Sequence, residues 1–68
     1  MKRWDCNKHK RVEETSITAY LNEVIEIGKK HGFSISHEDT GGGFEVVNFS
    51  ESTNKWLMDA SINIKEIK

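Results

Sequence analysis

The chain has 68 residues and one cysteine, with ten Lys/Arg against eleven Asp/Glu for a net charge of −1. That length allows one domain, and one that buries only about 60% of its unfolded surface. The composition excludes an internal disulfide, because Cys6 has no second cysteine to meet, and the balanced charge excludes a DNA mimic and makes neither nucleic acid nor membrane an obligatory partner.

Residues 1–14 read as a basic N-terminal arm. Lys2, Arg3, Lys8, Lys10 and Arg11 stand there against Asp5 alone up to position 11. Trp4 interrupts this polar stretch, and an aromatic so large either folds back onto a core or sits at an interface. The basic start is not followed by the apolar stretch of a signal peptide, and no run approaches the roughly 18 apolar residues of a membrane span. With a lone thiol, the expected location is a reducing cytoplasm.

Residues 15–68 read as a single small α+β domain. From Ser16 to His31, Ile17, Tyr20, Leu21, Val24, Ile27, Gly28 and His31 recur at spacings of three and four, the signature of one helix face. Thr15 or Ser16 supplies the N-cap hydroxyl, Lys29 and Lys30 suit the negative end of the helix dipole, and Gly32 provides the left-handed stop. Phe33 to Glu38 then alternates, with Phe33, Ile35 and His37 on one face. The Asp39-Thr40-Gly41-Gly42-Gly43 turn leads to a second strand, Phe44 to Phe49, so the two strands form an antiparallel hairpin. Ser50 caps a short second helix from Glu51 to about Ala60, and the alternating tail from Ser61 to Glu66 can add a third strand. The expected core is Ile17, Leu21, Val24, Phe33, Ile35, Phe44, Val46, Trp56 and Leu57.

Chemistry-bearing motifs are sparse. Cys6 and His9 are spaced like metal ligands, but only His31 and His37 could complete the four that a structural zinc site needs, so no metal is expected. His37 and Asp39 share a strand face and form a conceivable acid–base pair, yet no nucleophile is in register with them. Asp39 shaping the turn is the simpler role. Gly41-Gly42-Gly43 precedes a strand and lacks the Lys-Ser/Thr and the helix of a phosphate-binding loop. No catalytic residue and no cofactor is expected.

The segments Lys29-Lys30-His31-Gly32-Phe33-Ser34-Ile35-Ser36-His37-Glu38-Asp39, Gly43-Phe44 and Trp56-Leu57-Met58-Asp59-Ala60 resemble a loose group of short, uncharacterised accessory proteins encoded by phages and prophages. The resemblance covers about half of the chain and transfers no activity. It implies a small protein acting in a bacterial host cytoplasm by binding and inhibiting a host protein, often a defence factor. The sequence therefore leads to a non-enzymatic interaction protein and a homodimer, with Trp4, Val47, Phe49, Ile62 and Ile64 as interface candidates. The alternative is a nucleic-acid-binding module that uses Lys2, Arg3, Lys8, Lys10 and Arg11.

Overall fold

A computed structural model describes residues 1–37 and 41–64. In chain order it contains β1 (Lys2–Asp5), β2 (Lys10–Glu13), α1 (Ser16–His31), β3 (Phe33–His37), β4 (Phe44–Asn48) and α2 (Glu51–Met58). Two antiparallel hairpins and two helices make a mixed α+β fold, as the helix and strand periodicities indicate.

Local signals set most boundaries. Gly32 ends α1 in the left-handed region at φ 82°, where a side chain would be strained, and its N–H donates to the Gly28 carbonyl. Ser50 starts α2, its hydroxyl accepting from the Thr53 N–H at 3.3 Å. In the β3–β4 pair, Phe33 stands opposite Asn48, Ile35 opposite Val46 and His37 opposite Phe44.

Three expectations are corrected. Residues 1–14 are not a free arm: β1 and β2 pair with Lys2 opposite Glu13 and Trp4 opposite Arg11. The loop between them is built on Asp5, whose carboxylate accepts the N–H groups of Asn7 and Lys8, and His9 takes a positive φ of 54° to close it. The N-cap of α1 is not a Thr15 or Ser16 hydroxyl. Instead Glu14 Oε2 accepts the N–H groups of Ile17 at 2.8 Å and Thr18 at 3.3 Å. The tail does not form a third strand among the described residues. Ile62 makes a single parallel bridge to Asp5, donating to the Trp4 carbonyl and accepting from the Cys6 N–H. Lys65 and Glu66 lie outside the described residues.

The core is much smaller than the apolar pattern suggests. Leu21 is the one buried hydrophobic residue among those described, and Ile17, Val24, Ile35 and Leu57 are half-buried. Phe33, Phe44, Val46 and Trp56, all expected inside, are exposed. Alternation decides which strand residues share a face but not which face is covered. Here the buried member of β3 is Ser34. Its hydroxyl accepts the Ser50 N–H at 2.9 Å and donates to Asn54 Oδ1 at 2.8 Å, tying β3 to the start of α2. Satisfied hydrogen bonds let this polar face lie inside, and the aromatic face is left outside.

Candidate interaction site

On α1, Tyr20, Val24 and Ile27 fall at the i, i+4 and i+7 positions of one face. On the hairpin, Phe33 and Ile35 of β3 share a face with Phe44 and Val46 of β4. Val24, Ile27, Phe33, Ile35 and Val46 border one cleft of about 360 Å³, with Leu57 of α2 on its wall. Tyr20, on the same α1 face, and Phe44, on the same hairpin face, lie outside the lining of that cleft. The exposures are large: 65% for Tyr20, 62% for Ile27, 74% for Phe44 and 59% for Val46. With Phe33 included, these side chains leave on the order of 600 Å² of apolar surface open to water, taking the usual area of each type. That is the upper end of what a typical monomer shows in its largest patch, about 300–600 Å².

Of these, Phe33, Phe44 and Val46 were expected in the core, and Tyr20 and Ile27 on the same apolar helix face as Leu21 and Val24. Of the interface candidates drawn from sequence, Trp4 and Ile64 are exposed. Val47, Phe49 and Ile62 are half-buried within the chain, with the Phe49 N–H bonded to the Gly32 carbonyl.

The basic candidates are also divided by the structure. Lys2, Lys8, Lys10 and Arg11 are exposed, whereas Arg3 is 1% exposed. The Arg3 guanidinium donates through Nε to Glu14 Oε1 at 2.7 Å, through Nη1 to the carbonyls of Met58 and Ala60, and through Nη2 to Thr18 Oγ1 at 3.1 Å. It thereby satisfies the C-terminal end of α2 while holding the carboxylate that caps α1. Arg3 is thus a structural joint between the first hairpin and both helices, not part of a binding surface.

Glu14 feels the other side of that joint. Burial acts to raise the pKa of its carboxyl, but the Thr18 hydroxyl, the Arg3 guanidinium and the N–H groups of Ile17 and Thr18 together hold it at about 2. The folded pKa lies below the ordinary value of 4.5, so its contribution to stability is complete above that value. It is lost as pH falls towards about 2. The melting temperature should therefore drop across this acid window. The gap between wild type and Glu14→Gln should close at the acid end, and a gap that stays constant with pH would exclude Glu14 as the titrating group.

Catalytic geometry is thin. The His37 ring packs against Trp56 with centroids 4.8 Å apart and planes 41° apart, and Asp39 lies outside the described residues. Among the described residues no three His, Cys, Asp or Glu side chains converge as metal ligands. No described helix is long and apolar enough to cross a membrane. Comparison with known proteins finds no matching family model, curated protein or solved structure.

Proposed function

We propose that this chain is an interaction protein that works as a homodimer and binds and inhibits a bacterial host protein, with defence factors among the candidate targets. The observation that supports this is the open apolar face of Tyr20, Ile27, Phe33, Phe44 and Val46 beside a core holding one buried hydrophobic residue among those described. The largest apolar patch of a monomer is often its functional surface. The area of this face approaches the roughly 800 Å² that each partner contributes to a standard stable interface.

A second copy is the occupant that fits best. Along α1 the exposed acids Glu23 and Glu26 precede the exposed bases Lys29 and Lys30. Of these, Glu23 and Lys30 flank the apolar stripe, and a two-fold axis that runs the two helices antiparallel sets Glu23 of one copy beside Lys30 of the other. Val46 lies near the middle of the contact. Trp56 and Ile64, 45% and 67% exposed, are further apolar surface that the target can use.

Sedimentation across the micromolar range should show a species near twice the 7.8 kDa chain mass. Val46→Asp, which buries a charge at the contact, should give a folded monomer. A wild-type protein that stays at the monomer mass as concentration rises would defeat the dimer. The inhibitory role is tested by pull-down from bacterial lysate and an activity assay of the captured protein. Undiminished activity of that protein at saturating ligand would count against inhibition.

A further inference from the structure

We propose that the outer face of the first hairpin binds single-stranded nucleic acid, with one base stacked on Trp4 and the adjoining phosphates held by Lys2 and Arg11. Strand alternation and the register place Lys2, Trp4, Arg11 and Glu13 on one face of β1–β2, with Trp4 directly opposite Arg11. Trp4 is 41% exposed although Arg3 and Asp5 on either side of it are buried. It walls a cleft of about 230 Å³ that Lys2, Arg11 and Asp59 also line.

The charge on this face is available. None of Lys2, Lys8, Lys10 and Arg11 forms an ion pair among the described residues. The hairpin's carboxylates are engaged elsewhere: Asp5 accepts the N–H groups of Asn7 and Lys8, and Glu13 pairs with the Met1 ammonium at 2.8 Å. The Met1 ammonium beside it, with Lys2 contributing, holds the Glu13 carboxyl below its ordinary range. With Arg3 withdrawn into the fold, Lys2 and Arg11 remain beside the exposed indole, Arg11 donating through Nη2 to the Lys2 carbonyl at 3.2 Å. A base with a phosphate on either side matches that arrangement, because stacking needs an open ring face and the backbone needs nearby positive charge. An acidic peptide would use the cations and leave the indole without a stacking partner. Asp59 lines the cleft too, so the phosphates lie on the Lys2–Arg11 side.

This site is separate from the apolar face and does not depend on the dimer. Fluorescence anisotropy of a labelled oligothymidylate of about twelve nucleotides, within the range of small single-strand binding sites, provides the test with the intact chain. Trp4→Ala should weaken binding by about ten-fold or more, and Trp4→Phe should restore part of it. Lys2→Ala and Arg11→Ala should each flatten the dependence of log affinity on log salt by about 0.7. Both lie exposed at the surface, so they report even if Trp4→Ala does not fold. Equal competition by polyglutamate would overturn the proposal in favour of an acidic protein surface. Salt slopes unchanged in both charge variants, or binding of a duplex as tight as that of the single strand, would overturn it as well.

Discussion

Arg3→Met should cost the protein a large share of its stability and lower its melting temperature steeply. The guanidinium is almost wholly buried and makes bonds to Glu14, Thr18, Met58 and Ala60 at once. Methionine fills part of the volume but donates nothing. The carbonyls at the end of α2 lose their donor, and the carboxylate that caps α1 loses its counter-charge. Removing one partner from a buried ionic joint costs about 3–5 kcal/mol. A domain of this length has a total stability of roughly 3–10 kcal/mol. Arg3→Lys keeps the charge but cannot fork to four acceptors, so it should also lose much of the stability. Thermal unfolding followed by circular dichroism measures both. An Arg3→Met protein melting within a few degrees of wild type would mean that the joint does not hold the hairpin to the helices.

Gly28→Ala should destabilise the protein, against the ordinary preference of helices. Inside an exposed helix this change gains about 1 kcal/mol, because alanine restricts the unfolded chain and glycine does not. At position 28 an added Cβ would collide with the Phe33 carbonyl oxygen. The clashing atom is backbone, so no side chain can swing away. Either α1 separates from β3 or the turn at Gly32 opens, and overpacking of this kind costs about 1–3 kcal/mol. For a domain of this size each kcal/mol is worth about 4–8 °C of melting temperature. Asn22→Ala, on the exposed surface of the same helix, serves as the control and should be neutral or slightly stabilising. A higher melting temperature for Gly28→Ala would show that helix and strand have room to part.

Sequence by itself determined the elements whose signals are local. The bounds of α1, the left-handed stop at Gly32, the Ser50 cap and the pairing of β3 with β4 each depend on residues within a few positions of one another, and short-range sterics and hydrogen bonding fix them. The first hairpin was not legible, because its strands are four residues long and alternate among charges without an apolar period. The role of Arg3 was not legible either. Its acceptors at Met58 and Ala60 lie 55 and 57 positions away along the chain, and no local pattern distinguishes a buried arginine from the exposed bases beside it. Tertiary structure also decided which face of β3–β4 lies inside. Alternation is symmetric between the two faces, so the choice falls to contacts. Ser34 finds partners at Ser50 and Asn54, and satisfying those polar groups turns Phe33, Phe44 and Val46 outward, where they are exposed among the described residues.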